Sequence, residues 1–300
     1  MASIGHDQCR GIIAAMLTPL TPDERLDRAP CEALVHTLLD EGQIGLYLSG
    51  STGEGYALDD AVRVDLFQVA AAAARSRPDR ATLIAQVGGV PTRRAVALAR
   101  AAADAGCDAV SAITPAGGRY SFEEYKAYYQ VLAAQSPLPL FVYHIPVVTG
   151  LRFSRPQLSE LLELRNVVGM KYTNEDLFVL ERLVTRHPDK VLLMGADQML
   201  AFGLLAGAVG AIGTTYNLLG PVAIRIHRAV ERGDMRAAVG EQGVLNAFVE
   251  ALYEGGGLRG FKALAAERFG WPSAVSPEPG LTPPPEVYAP MKRVLEAARG

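Results

Sequence analysis

Cysteine is scarce in this chain. Cys9, Cys31 and Cys107 are the only three, and no pair has C-x-x-C spacing. So sparse and odd a set excludes a disulfide framework and points to a reducing compartment, the cytoplasm. No run approaches the ~20 uninterrupted apolar residues that a bilayer-crossing helix needs, so no membrane segment is expected. The stretch Met1–Arg10 lacks the apolar core of a secretory signal. A strong charge imbalance is missing too. The formal net charge of −3 gives no general attraction to nucleic acid or anionic membrane, so an anionic ligand must be held by a local site. Among the five histidines, His36, His187 and His227 read as helix-surface residues. No cluster has metal-ligand spacing, so neither a metal nor another cofactor is expected. No Gly-x-Gly-x-x-Gly follows the first apolar run, which counts against an open dinucleotide-binding sheet.

What is present is apolar and periodic. Of 300 residues, 49% are hydrophobic and 20% charged, enough to bury a large core. Short apolar runs occur at Gly11–Leu17, Ile44–Ser49, Thr82–Val87, Ala109–Thr114, Leu138–Tyr143, Val167–Tyr172, Val191–Gly195 and Gly210–Thr214. Each has the length and continuous hydrophobicity of a strand buried on both faces. Amphipathic stretches separate them, such as Asp59–Arg75, Thr92–Asp104, Phe122–Gln135 and Glu175–Arg186. Asp59, Thr92, Ser121, Ser154 and Asn174 stand where helix caps belong. Eight strand–helix units predict an α/β fold, a (β/α)₈ TIM barrel, over residues 1–222.

After Leu218 the pattern is helical only: Val222–Arg232, Met235–Tyr253, Leu258–Arg268 and Glu286–Ala298, with a Pro-rich spacer from Pro272 to Pro285. Residues 223–300 are therefore expected to form a C-terminal helical appendage packed on the barrel.

Barrel enzymes carry their chemistry at the C-terminal ends of the strands. The segments expected there are Gly50–Glu54, Thr114-Pro115, Tyr143–Pro146, Lys171–Thr173, Gly195–Asp197 and Gly213–Asn217. Lys171 is the sharpest residue among them. Of 29 lysines and arginines only five are lysines, and Lys171 alone ends an apolar strand; Lys126, Lys190, Lys262 and Lys292 sit in polar or helical settings. An amine losing hydration at such a place favours its uncharged, nucleophilic form. It can attack a ketone and form an imine that accepts an electron pair. The plainer alternative is a lysine snorkelling to the rim or paired with a carboxylate.

Gly50–Glu54 has the character of an anion cradle, with glycines for close backbone approach and hydroxyl donors at Ser51 and Thr52; a simple helix cap is the alternative. Tyr143 ends an apolar strand and is either a hydrogen-bonded core residue or a proton carrier near the imine. His144 alternates to the other side of the strand and reads as a packing residue. Asp197 reads as a helix cap at the barrel mouth, compatible with holding substrate hydroxyls.

Together, Gly50-Ser51-Thr52-Gly53-Glu54, Tyr143-x-Ile-Pro146, Gly169-Met170-Lys171-Tyr172-Thr173, Gly195-x-Asp197 and Ile212-Gly213-x-Thr215-Tyr216-Asn217 resemble the dihydrodipicolinate synthase/N-acetylneuraminate lyase superfamily. The resemblance runs from about Gly11 to Gly220 and is nearest to the sialic acid lyase branch. It implies a class I, pyruvate-dependent aldolase or lyase that makes or breaks a C–C bond in a 2-keto acid. In it Lys171 forms the Schiff base, Tyr143 carries the proton with Ser51, and Ser51 and Thr52 bind the pyruvate carboxylate. Thr173, Gly195, Asp197, Gln198 and Thr214 face the hydroxylated aldehyde half. The implied partners are pyruvate and an aldehyde, in a homotetramer, with no nucleic acid or membrane.

The chain departs from the family pattern in four places. Val148 stands where synthases resemble an arginine for a second carboxylate, which removes a charge-assisted contact. Gly117 stands where a tyrosine usually reaches a neighbouring subunit's site, and Tyr120 is a possible substitute. Gln198 replaces a glutamate and Thr214 a serine. Two other readings therefore stand beside the first: an aldolase or dehydratase of 2-keto-3-deoxy sugar acids, and a catalytically weak barrel that binds a keto acid.

Overall fold

Eight parallel strands close into a barrel in chain order, the last pairing with the first. The structure, a computed structural model, describes residues 4–298. Residues 1–3 and 299–300 of the expected segments 1–222 and 223–300 lie outside the described residues. The strands are β1 Ile12–Ala15, β2 Gly45–Leu48, β3 Thr82–Gln86, β4 Ala109–Ile113, β5 Leu140–His144, β6 Val167–Tyr172, β7 Val191–Met194 and β8 Gly210–Gly213. Each lies within its apolar run, except that β5 extends one residue further, to His144.

Strand alternation sorts the side chains into two cores. Ile13, Ala15, Tyr47, Ile84, Phe141, Tyr143, Leu193 and Ile212 form a compact inner cluster with Ile4 and Cys9. Their neighbours Ala14, Leu46, Leu48, Ala85, Val142, Met170, Leu192 and Met194 pack in a larger cluster with the surrounding helices. Tyr143 pairs in register with Lys171 across β5 and β6, and both side chains belong to the inner set.

The helices follow the caps with three differences. The helix after β3 takes Thr92 as its first residue, with Pro91 in the cap position, where proline's fixed φ suits the extended cap backbone. Ser121 accepts from the Glu124 N–H, and Ser154 and Gln157 form a capping box, as their sequences predict. The helix after β6 begins later than expected, at Leu177, and Asp176 rather than Asn174 caps it by accepting from the Val179 N–H. Asn174 instead turns its side chain to the Glu175 N–H, so the helix starts three residues further on, at Leu177. The first tail helix begins at Tyr216, ahead of the expected Val222, and carries a kink at Leu219 next to Pro221.

Two histidines differ from expectation. His187 is buried, with Nε2 2.6 Å from the Ser159 hydroxyl, and His227 is buried 3.4 Å from Glu231. Neighbouring helices cover their faces, which a single-helix pattern does not reveal. No helix among the described residues is long and apolar enough to cross a membrane.

The C-terminal helices Met235–Glu254 and Gly257–Phe269 lean over the top of the barrel. Gln242 accepts from the Ala201 N–H at 2.8 Å and donates to the Asp197 carbonyl at 3.1 Å. Lys262 is an exception to the reading of it as an ordinary helical lysine. It is fully buried and ion-paired with Glu54.

Candidate active site

A cavity of about 660 Å³ opens at the C-terminal ends of the strands. Ser51, Thr52, Tyr143, Lys171, Thr173, Gly195, Asp197, Gln198 and Thr214 all line it. Every site residue expected from sequence is thus gathered round one space, although 163 positions separate the first from the last in the chain. Gly117 and Tyr120 do not line it. Tyr120 lies instead at a second cavity with Val90, Pro91, Pro115, Tyr125 and Tyr128, its ring edge-on to Tyr125.

Lys171 occupies the floor and is 4% exposed. Its Nζ sits 4.3 Å from the ring centroids of both Tyr47 and Tyr143, which are themselves edge-to-face at 5.8 Å. Among the described residues no carboxylate makes an ion pair with it. With no carboxylate partner and the cavity in front of it, the amine is placed to meet a ligand there. Gly195 makes the space for this. A Cβ there would lie 2.0 Å from the Thr173 hydroxyl and 3.2 Å from Lys171 Cε.

The Tyr143 hydroxyl approaches the Ser51 hydroxyl at 3.4 Å, and the Thr52 hydroxyl meets that of Thr214 at 2.7 Å. These two contacts join the loop after β2 to β5 and β8. The Thr173 hydroxyl is buried without a hydrogen bond, a polar atom left for a ligand. Asp197 is not the side-chain cap it seemed. One of its oxygens accepts from both the N–H and the hydroxyl of Thr215, each at 2.7 Å. Burial raises its pKa, and the Thr215 bonds oppose that rise. Gln198 donates to Glu175 at 3.0 Å, so a carboxylate stands beside the amide at the mouth.

His144 points away from the cavity, as alternation requires. It stacks on Phe153 and tilts against Tyr172, and its Nε2 has no hydrogen bond. Burial lowers its pKa to about 4.

Sequence reasoning missed several contributors. Tyr47, under Lys171, looked like one more apolar strand residue; its hydroxyl donates to Ser111 at 3.0 Å. Arg63, fully buried on the helix after the loop, donates to the Ser49 hydroxyl at 3.0 Å and to the Gln86 carbonyl at 2.6 Å. The mouth is walled by Val249, Leu252, Tyr253 and Leu258 from the C-terminal helices. An arginine with apolar neighbours at helical spacing was the one signal available for Arg63. Nothing local marked the others.

A closed parallel barrel with an unpaired lysine on the floor of its C-terminal cavity has the architecture of a class I, pyruvate-dependent aldolase, and this chain is a carbon–carbon lyase of that class. It belongs to the dihydrodipicolinate synthetase family, whose model matches residues 8–298. It is 37% identical over 260 residues to N-acetylneuraminate lyase 2 of Escherichia coli O6:H1, covering 86% of this chain and 84% of that one. It is 38% identical over 258 residues to the N-acetylneuraminate lyase of Enterobacter sp. strain 638, covering 86% of each. Among solved structures, CdNal from Clostridium difficile in complex with mannosamine superposes with a TM-score of 0.90 at 30% identity, covering 96% of this chain and 99% of that one. YagE, a prophage protein of Escherichia coli K12 solved with pyruvate, gives 0.89 at 26%, covering 97% and 98%.

Proposed function

We propose that the enzyme reversibly cleaves a 2-keto acid bearing a hydroxyl at C4 into pyruvate and a hydroxylated aldehyde, in the manner of N-acetylneuraminate lyase. The observation that carries this reading is the Lys171 amine, unpaired between Tyr47 and Tyr143 and facing the cavity. Lys171 attacks the C2 ketone and loses water to give an iminium. The Ser51 and Thr52 hydroxyls and the loop N–H groups hold the adjacent carboxylate. Tyr143, with Ser51 at 3.4 Å, takes the proton of the C4 hydroxyl. The C3–C4 bond then breaks, its electron pair flows into the iminium, and the aldehyde leaves. Protonation of the enamine at C3 and hydrolysis return pyruvate and the free lysine.

Thr173, Gly195, Asp197, Gln198 and Thr214 receive the aldehyde half. The unpaired Thr173 hydroxyl and the acceptors Asp197 and Gln198 suit a chain of hydroxyl groups. The similarity to N-acetylneuraminate lyases supports an amino-sugar aldehyde. The Gln198–Glu175 hydrogen bond favours keeping a second reading, a 2-keto-3-deoxy sugar acid, because it commits one amide proton that a sialic acid tail would otherwise meet. The three free, buried cysteines suit work in the cytoplasm, and the family resemblance supports a homotetramer. We also read residues 1–222 as the catalytic barrel and 223–300 as its helical extension.

Borohydride reduction with pyruvate, followed by intact-mass measurement, tests the chemistry. A pyruvate-sized adduct that maps to Lys171 and disappears in Lys171→Ala is the expected result. No adduct, under conditions where an authentic class I lyase traps fully, overturns the reading and leaves a barrel that binds without turnover. Assays with N-acetylneuraminate and 2-keto-3-deoxy sugar acids then separate the two substrates.

A further inference from the structure

The loop between β2 and the next helix has a strained backbone at both of its ends. Ser49 and Glu54 are not glycines, yet their φ angles are +54° and +57°, in the left-handed region. Such residues persist only where their surroundings over-determine them. The loop between them folds back tightly: the Gly55 N–H donates to the Gly50 carbonyl at 3.0 Å, and a Cβ at Gly55 would lie 1.9 Å from the Ser49 carbonyl oxygen.

Each strained residue is held by a buried cation. Arg63, 2% exposed, donates to the Ser49 hydroxyl at one end. Lys262, 0% exposed, pairs with the Glu54 carboxylate at the other, where Ser276 donates to the second carboxylate oxygen. Lys262 and Ser276 come from the C-terminal extension, more than 200 residues along the chain. Ser51 and Thr52, the two hydroxyls of the cradle, lie between the two clamps. A buried ion pair is a poor source of net stability but a strong geometric constraint, since breaking it strands a charge.

We propose that Lys262 is a positioning residue for keto-acid binding. Through Glu54 it fixes the shape of the 50–54 loop, with Arg63 as its counterpart at Ser49, so the C-terminal extension is a working part of the carboxylate site. The inference rests on the reading that this loop holds the pyruvate carboxylate.

The test is the pyruvate concentration that half-saturates the borohydride-trapped adduct, measured on the full chain. In Lys262→Met it rises on the order of 100-fold, the scale set for rates by a displacement of roughly 1 Å, while the adduct yield at saturation is retained. Lys262→Arg, which restores the charge, recovers most of the loss. Ser51→Ala adds little on top of Lys262→Met, because both act through one loop. A folded Lys262→Met with wild-type half-saturation, or with an effect simply additive to that of Ser51→Ala, overturns the proposal. If Lys262→Met does not fold, Glu54→Gln decides in the same way: a raised half-saturation supports the clamp and an unchanged one refutes it. Absence of adduct in the unaltered enzyme is a different result. It refutes the Schiff-base function and the clamp with it.

Discussion

Lys171 and Lys262 are both buried, and they are buried in opposite ways. Lys262 has a carboxylate partner in a fully dry setting, and its charge is matched. Lys171 has two aromatic faces and an open cavity, and among the described residues no carboxylate pairs with it. The difference is one of partners, not of depth: a paired buried charge fixes geometry, and an unpaired amine beside a ligand space does chemistry. His144 is a third case. Its Nε2 has no hydrogen-bond partner among the described residues, its ring packs on Phe153 and Tyr172, and burial lowers its pKa.

The comparison is broken most sharply at Lys171. Lys171→Met is expected to lower kcat on the order of 10⁶-fold, the scale for loss of a covalent nucleophile, with stability to urea unchanged or raised. A loss of stability in that variant would mean that Lys171 is structural after all. Tyr143→Phe removes the hydroxyl proposed to carry the proton and leaves the amine. Its kcat is expected to fall ~10²–10⁴-fold while the borohydride-trapped imine still forms; loss of both would assign Tyr143 to imine formation itself.

Lys262→Met is the mirror image of Lys171→Met. Stranding Glu54 is expected to lower unfolding free energy by about 3–5 kcal/mol, read as a shift of the urea midpoint at constant slope. An unchanged midpoint would make the pair a bystander.

The smallest effect concerns His144. Its pKa falls from 6.5 unfolded to about 4 folded through burial. The unfolded chain therefore binds the extra proton between those values, and stability is full above pH 6.5 and lost as pH falls towards 4. The loss approaches about 3 kcal/mol. His144→Gln is expected to flatten this part of the pH–stability curve. An equally steep curve in the variant would place the acid sensitivity elsewhere.

Much of the site was readable before the fold, because barrel chemistry sits where apolar runs end. Lys171 and Tyr143 were visible as polar groups closing apolar strands, and Ser51 and Thr52 as hydroxyls within a glycine-rich loop. His144 was placed by alternation alone. Tyr120 was not placed: its offer to replace the tyrosine absent at Gly117 concerns a neighbouring subunit's site, and within its own chain it lines a second cavity. Asp197 was misread for a related reason. A carboxylate after a strand looks like a cap, and only the neighbouring β8 loop reveals that Thr215 is its partner.

The sequence by itself determined the eight strands, their alternation and the lysine that closes β6, because each is written in local hydrophobic period and residue type. The tertiary structure decided the partners. That Lys262 meets Glu54 follows from the tail folding back over the mouth, that Tyr47 lies under Lys171 follows from barrel closure, and that Arg63 meets Ser49 follows from how the loop after β2 folds back onto its helix. A pairing across 208 residues, such as that of Lys262 with Glu54, leaves no local trace. A buried lysine and an exposed one read alike on a helix until its neighbours are in place.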